Sequence, residues 1–363
     1  MRRKLKQYCL AVSFILALPL LALAAYTYTP FDYVGKLFGN TSGTATITEA
    51  FGINNAGKIV GGFCADADTG ATIAGGCSAP GNAPSHGYVR FMDEGKPVFK
   101  RINYPNSFET EATGLNNRGI IVGLYDAKAP NPPNADLGVG FYCYFSESKG
   151  CTNFHTVKYP GSTSTDLQAV NDDGDMVGLY SLIAIPPFAD FGFMFSEGKF
   201  CSIDLGTAVT GATDTNSLGI NEEEAVVGSY DDTVAGVIKA FLLTDVDVPK
   251  YINKKPAGCK WATHAEFSFP DLLATNPPVL QTEAAGINED GLIVGNYLDN
   301  LQVSHAFQVQ SNPDGTIDAT SFKTIDFVPG PTGDNAASSL NDKGVIVGNY
   351  TDAAAKERAW IAK

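Results

Sequence analysis

Basic residues are in short supply in this 363-residue chain: 25 Lys+Arg stand against 39 Asp+Glu, a net charge of −14. Without a basic surplus there is no electrostatic footprint for nucleic acid or for an anionic membrane surface. Histidine is scarcer still, four scattered copies, and no CxxC occurs, so the case for a His/Cys metal centre is weak. The GxSxG nucleophile phrase, the P-loop and HExxH are all missing. Long apolar runs are limited to one, Cys9 to Ala24, with Arg2, Arg3, Lys4 and Lys6 ahead of it and the triplet Ala22-Leu23-Ala24 at its end. That is the pattern of a secretory signal peptide over residues 1–25, cut after Ala24 or Ala25, and it leaves 26–363 as one repeat domain without a membrane span. Losing 1–24 removes four basic residues and no acidic one, so the net charge moves from −14 to −18. The expected location is secreted or periplasmic.

Cleavage leaves six of the seven cysteines. An even count in an exported chain predicts disulfides. Cys143 and Cys151 flank a short polar turn, as a cross-strand bridge would, and Cys64 and Cys77 bracket one loop. Cys201 and Cys259 are left to each other.

What the chain has in quantity is a repeat. GINNAGKIVGGF from Gly52 returns as GLNNRGIIVGLY from Gly114, AVNDDGDMVGLY from Ala169, GINEEEAVVGSY from Gly219, GINEDGLIVGNY from Gly286 and SLNDKGVIVGNY from Ser339. These phrases put hairpins near 52–63, 114–125, 169–180, 219–230, 286–297 and 339–350. Each Asn should accept hydrogen bonds from the turn backbone. A Gly three residues later supplies the positive φ that a short hairpin loop needs, at Gly57, Gly119, Gly174, Gly291 and Gly344. In the fourth copy Glu224 takes that place, so its turn is either strained or differently built. The Gly of each IVG strand (61, 123, 178, 228, 295, 348) marks close backbone approach and suits a crowded central axis. The aromatic two residues on (Phe63, Tyr125, Tyr180, Tyr230, Tyr297, Tyr350) should fill space between neighbouring units.

Two more apolar segments complete each repeat. One resembles FKTIDFVPG (322–330) or FHTVKYPG (154–161) and precedes the Asn phrase. The other pairs a small residue with an aromatic, as in Gly87-Tyr88 or Ala359-Trp360. All are short and rich in Val, Ile, Phe and Tyr, so they read as strands. Four strands in each of six repeats of about 56 residues predict an all-β, six-bladed β-propeller of four-stranded blades. The rungs of a β-helix are too short for this period. Whether the ring closes within blades or by strand exchange between the termini is left open by the pattern.

The GIN…G…IVG…Y phrase, with His305-Ala306-Phe307 and the near copy His86-Gly87-Tyr88, resembles the bacterial extracellular repeats of the HAF family. The resemblance spans nearly all of 26–363. It implies an exported β-rich repeat protein and brings no activity or catalytic residue with it.

Function should sit where the repeat is broken. From the aromatic of each IVG strand to the aromatic of the next strand the six gaps are 25, 16, 13, 11, 10 and 10 residues. The connections 64–86, 126–139 and 181–191 are thus the long ones, and equivalent connections share one face of a propeller. Loops on a rigid scaffold are where binding usually resides. The expected ligand-binding residues are Asp66, Asp68, Asp136, Ile183, Ile185, Phe188 and Asp190, with units four to six presenting a smooth rim. Asp66-Ala67-Asp68-Thr69-Gly70 has a faint likeness to a calcium loop without the closing Glu, so no cofactor is assigned. A further insertion, 244–281, carries Lys250, Lys254, Lys255 and Lys260 and suits either an acidic ligand or a cover over a sheet edge. His86 and His305 fall in a slot that Val139, Phe191, Lys239 and Arg358 also fill, which argues for structure rather than ligation. Two functions remain. One is a non-catalytic binding or surface-interaction module for an extracellular glycan or protein. The other is a secreted carbohydrate-active hydrolase or lyase with its site in the propeller channel, where acid pairs abound but sequence cannot set their spacing.

Overall fold

The structure is a computed structural model that describes residues 26–36, 42–64, 85–127, 138–183, 190–249, 256–270, 279–327 and 334–363. It is all-β, with no α-helix among these residues. The strands pair antiparallel in six four-stranded units. Unit one is Ile47–Ile53, Ile59–Cys64, His86–Asp93 and Lys96–Ile102. Unit two is Glu109–Leu115, Ile120–Asp126, Val139–Ser146 and Gly150–Val157. Unit three is Ser164–Val170, Met176–Ser181, Asp190–Ser196 and Lys199–Ile203. Unit four is Ala212–Ile220, Val226–Asp232, Val237–Thr244 and Thr263–Phe267. Unit five is Gln281–Ile287, Leu292–Leu298, Ser304–Gln310 and Lys323–Thr324. Unit six is Asn335–Leu340, Ile346–Thr351, Glu357–Ala362 and, from the other end of the chain, Tyr28–Phe31. Single parallel bridges, Val139 to Thr165 and Ile238 to Gln281, link units two to three and four to five.

This pairing settles two matters that the repeat pattern left ambiguous. The segment preceding each Asn phrase is the outermost strand of the unit before it, so the sequence repeat is out of phase with the sheets. The last unit borrows its outer strand from the N-terminal side of the chain, in the register Tyr28 to Ala362 and Phe31 to Ala359.

All six Asn turns share one design. Gly57, Gly119, Gly174, Gly291 and Gly344 have φ between 69° and 89°, and Glu224 adopts the same region at 57°. The fourth turn is therefore strained rather than rebuilt. Each Asn Oδ1 accepts turn N–H groups, as Asn116 does from Arg118 (3.1 Å) and Ile120 (2.8 Å).

The bulge in each first strand corrects the place assigned to the IVG glycine. Each first strand carries a bulge just before its Asn, between Ala50 and Gly52 in unit one. The bulge drives a carbonyl at the IVG strand: a Cβ on Gly61 would lie 1.8 Å from the Glu49 oxygen and 2.9 Å from the Tyr88 ring. The IVG glycine thus answers a crowding inside its own sheet. Crowding at the axis falls instead on the first position of the phrase, a glycine in four of the six copies, where a Cβ on Gly52 would meet Thr113 O at 2.9 Å in the next unit.

The second-strand aromatics seal the junctions between units. Phe63 stacks on Tyr33, Tyr125 on Tyr104 and Tyr180 on Tyr159, each at 3.6 Å, and Tyr297 on Phe269 at 3.9 Å. The partner in every case lies on the linker leading into that unit. The linker is pinned by a residue six before the ring Asn: Thr48, Thr110, Thr165, Thr215, Thr282 and Asn335 each accept the backbone N–H of the residue packed there. Aromatic stacking adds about 1 kcal/mol per pair to the area buried.

Cys143–Cys151 and Cys201–Cys259 are disulfides, as the spacing predicts. Cys64 is also disulfide-bonded, and Cys77 lies outside the described residues. Cys201–Cys259 explains the 244–281 insertion. Residues Ala257–Gly258 run parallel to the outer strand of unit three, and the chain then returns as the outer strand of unit four. Ala257–Gly258 thereby cover part of the unit-three sheet edge, which would otherwise be an open pairing surface.

Candidate functional site

The antiparallel order sends every Asn turn to one end of the molecule and every connection between second and third strands to the other. At the turn end the six ring asparagines close on one another. Asn54 Nδ2 donates to Asn116 O, Asn116 to Asn171, Asn171 to Asn221, Asn221 to Asn288, Asn288 to Asn341, and Asn341 back to Asn54, at 2.8–3.3 Å. One residue further out a second ring repeats the cycle. The N–H groups of Asn55, Asn117, Asp172, Glu222, Glu289 and Asp342 each donate to the side chain of the next member, at 2.6–3.1 Å. The rings cap a narrow axial cavity of about 100 Å³ lined by the five residues 51–55 and their counterparts. It has room for a few waters, not for a sugar ring.

Four of the six outer-ring side chains are carboxylates. Burial first, and then the neighbouring Asp172 and Glu289, push the Glu222 carboxyl above its ordinary value. Glu289 is raised in the same way, by burial and then by Asp342 and Glu223. A cleft of about 1130 Å³ opens beside this arc between units four and five. Glu223, Glu224, Asp245 and Asp290 line it, and among the described residues its walls hold no basic side chain. The field there repels anions. Among the described residues no three His, Cys, Asp or Glu side chains are grouped to hold a metal ion.

The connection end is different in kind. Eight large apolar side chains are exposed among the described residues, and six of them sit here: Val34, Phe108, Leu182, Ile183, Val234 and Leu301. Ile183 is 48% exposed on the unit-three connection, where its N–H meets Ser181 Oγ at 3.4 Å. Asp190 starts the next strand and gives its N–H to Asp214 Oδ1 at 3.1 Å. Asp66, Asp68, Asp136, Ile185 and Phe188 lie outside the described residues, as do Lys250, Lys254 and Lys255. The rim of units four and five is not smooth. Val234 (77% exposed) and Leu301 (71%) project from short connections in which the gap lengths showed nothing unusual.

Sequence reasoning missed how the short connections are held. In units four, five and six a basic residue at the slot of Lys239, His305 and Arg358 hooks the connection through an Asp two residues past the strand aromatic. Lys239 Nζ meets Asp232 at 2.7 Å, His305 Nε2 meets Asp299 at 3.4 Å, and Arg358 Nε meets Asp352 at 3.1 Å. Arg358 and His305 also reach an Asp of the linker, Asp32 at 2.9 Å and Asp326 at 2.7 Å. The slot is structural, as expected, and the signal for it was the Asp recurring at 232, 299 and 352 only where the connection is short. His86 is buried against Phe63, and His155 stacks on Tyr142 at 4.6 Å.

One carboxylate here is strongly perturbed. Burial first, then Glu111 and Asp126, push Glu109 up to about 7 from 4.5, against a hydrogen bond from the Ser85 backbone. A carboxyl raised on folding stabilises fully below pH 4.5, and that contribution is lost as pH rises through 7. Glu109→Gln, which keeps an acceptor for Ser85, should therefore gain about 2 kcal/mol over wild type at pH 8 after solvent screening. It should gain nothing at pH 4. Urea unfolding at the two pH values checks this.

No family model and no curated protein matches the chain. Among solved structures the Trypanosoma rangeli sialidase is similar, with a TM-score of 0.51 at 9% identity over 93% of this chain. The match spans 59% of the sialidase's length. A mutant of the Aleuria aurantia lectin, in complex with Fucalpha1-6GlcNAc, aligns over 87% of this chain and 93% of its own at 11% identity, with a TM-score of 0.43. At such identity the sialidase likeness speaks to fold alone, and the fold is an all-β one of propeller type. Two disulfides among the described residues agree with an oxidising compartment. No helix among those residues is long and apolar enough to cross a membrane.

Proposed function

We propose that the chain is a six-bladed β-propeller of the HAF-repeat type, exported to the periplasm or the cell exterior, and that it works as a non-catalytic binding module. Its ligand, a glycan or a protein, seats on the connection end, over the long connections of the first three blades and the apolar tips beside them. The observation that carries this reading is the segregation of exposed apolar side chains: six of eight lie on that one end. Exposed Leu, Ile, Val and Phe gathered on one face of a soluble scaffold mark an interaction surface, because each costs free energy in water until it is covered. The same reading includes Asp66, Asp68, Asp136, Ile185 and Phe188 as neighbours along the connections. The channel-based hydrolase reading has less support, since the axial cavity of about 100 Å³ is too small for a substrate.

A glycan and protein panel, run beside a turnover assay on the same panel, tests the proposal. Val234→Asp with Leu301→Asp should weaken capture of any hit at least tenfold and leave folding intact, because both side chains are already in water. Undiminished capture by the double variant, or turnover abolished by one carboxylate substitution, would overturn it.

A further inference from the structure

The clamp on the short connections recurs in three units, and in one of them it can be switched off. A lysine and an arginine hold the hook in units four and six, Lys239 on Asp232 and Arg358 on Asp352, and neither residue type is a switch near neutral pH. His305 stands in the equivalent position, and histidine is such a switch. We propose that His305 is a pH-controlled latch that holds the 299–303 connection, which presents Leu301, to the body of unit five in acid and releases it as the solution turns alkaline. As regulation of the connection end, it rests on the binding role assigned to that end.

The geometry decides which bond is lost. His305 Nδ1 faces Asp326 Oδ2 at 2.7 Å and Nε2 faces Asp299 Oδ2 at 3.4 Å. An imidazolium donates from both nitrogens, whereas a neutral ring has a single N–H. The shorter contact keeps that proton. Asp326 is further committed, since its other oxygen takes the Ala306 N–H at 2.8 Å. Nε2 is then left as a lone pair facing the Asp299 carboxylate, and an attraction becomes a repulsion. Asp299 is the connection's own residue. Its Oδ1 accepts the Leu301 and Val303 N–H groups at 2.8 and 2.9 Å, so the turn stays formed while its hook opens.

The remaining groups around the ring leave this balance in place. Tyr297 stacks on His305 at 5.0 Å, with its hydroxyl on Thr324 at 3.0 Å. Tyr28 lies beside Asp326, with its hydroxyl donating to Ile325 O. Asp334 of unit six accepts the Ser304 N–H at 3.0 Å. No cation besides His305 is paired with Asp299 or Asp326 among the described residues. Asp326 first, opposed by burial, raises the ring above its ordinary 6.5. The latch is thus fully closed below pH 6.5 and opens as pH climbs through the raised value.

Amide exchange on the intact chain tests this without any ligand, so its outcome is independent of whether the connection end binds anything. Protection of 299–304, corrected for intrinsic exchange, should fall roughly tenfold from pH 6 to pH 9. The connections held by Lys239 and Arg358 (232–237 and 352–357) serve as controls in the same molecule and should not follow. His305→Lys should abolish the difference. Asp299→Asn keeps the one oxygen that accepts both turn N–H groups and should return the His305 NMR titration toward 6.5. If the three connections respond to pH alike, or if Asp299→Asn leaves the His305 titration unmoved, the latch does not exist.

Discussion

Gly61→Ala should destabilise the protein by about 3–5 kcal/mol, although it adds one methyl group. The new Cβ would sit 1.8 Å from a backbone oxygen, Glu49 O, in a bulge that cannot retreat without breaking its register. The same conflict recurs at 1.9 Å for Gly123, 2.0 Å for Gly178, 1.8 Å for Gly228, 1.9 Å for Gly295 and 2.1 Å for Gly348, each against the equivalent carbonyl. Gly57→Ala is the control. Gly57 has φ +73° with nothing within 4 Å of its absent Cβ, so Ala meets only the cost of the left-handed region, about 1 kcal/mol. Urea denaturation of the two variants separates the cases. Equal losses would mean that the bulge relaxes and that the crowding account is wrong.

Asn116→Ala should cost about 3 kcal/mol and weaken the closure of the ring. The side chain is buried and makes three hydrogen bonds: it donates to Asn171 O at 2.8 Å and accepts from the Arg118 and Ile120 backbones. Removal leaves two turn N–H groups without their acceptor and opens one of six links. Asn116→Asp separates the two roles. A carboxylate still accepts from the turn but cannot donate to Asn171 O, so its cost should be large at pH 7 and shrink in acid, where a protonated carboxyl donates again. A cost for Asn116→Asp that does not vary with pH would show that the link between units contributes nothing and that only the turn matters.

These two predictions mark different depths of reading. The turn role of Asn116 was legible because its partners lie two and four residues away, and six copies show the same Asn and Gly. The link to Asn171 was not, since its partner is a backbone carbonyl 55 residues on and a carbonyl has no sequence signature. The IVG glycine was recognised as a site of close approach, yet its obstacle was assigned to the axis. The bulge beside it, two residues opposing one across the strands, is invisible in a pattern that shows only alternation. The first-strand residues Thr48, Thr110, Thr165, Thr215 and Thr282 were in plain view as a series, but Thr is at home in any strand, so the series carried no meaning until its partners were seen.

The functional surface divides in the same way. Connection lengths pointed to the first three units, and they said nothing of Val234 and Leu301, whose exposure depends on how a short connection turns rather than on how long it is. His305 was read as structural from the tolerance of its slot. That its neighbours in the slot, Lys239 and Arg358, are working equivalents required seeing each of them against an Asp of its own connection.

The sequence by itself determined the six copies, the strand identity of the segments and the turn chemistry, and its spacing favoured pairing Cys143 with Cys151 and Cys201 with Cys259. All of these rest on local stereochemistry or on counting. Only the tertiary structure decided that the repeat is out of phase with its sheets, that Tyr28–Phe31 completes the last unit, and that the asparagines close a double ring. The reason is physical. A turn is dictated by the few residues that form it, whereas ring closure joins groups as far as 287 residues apart, and such a contact exists only once every unit between them has taken its place.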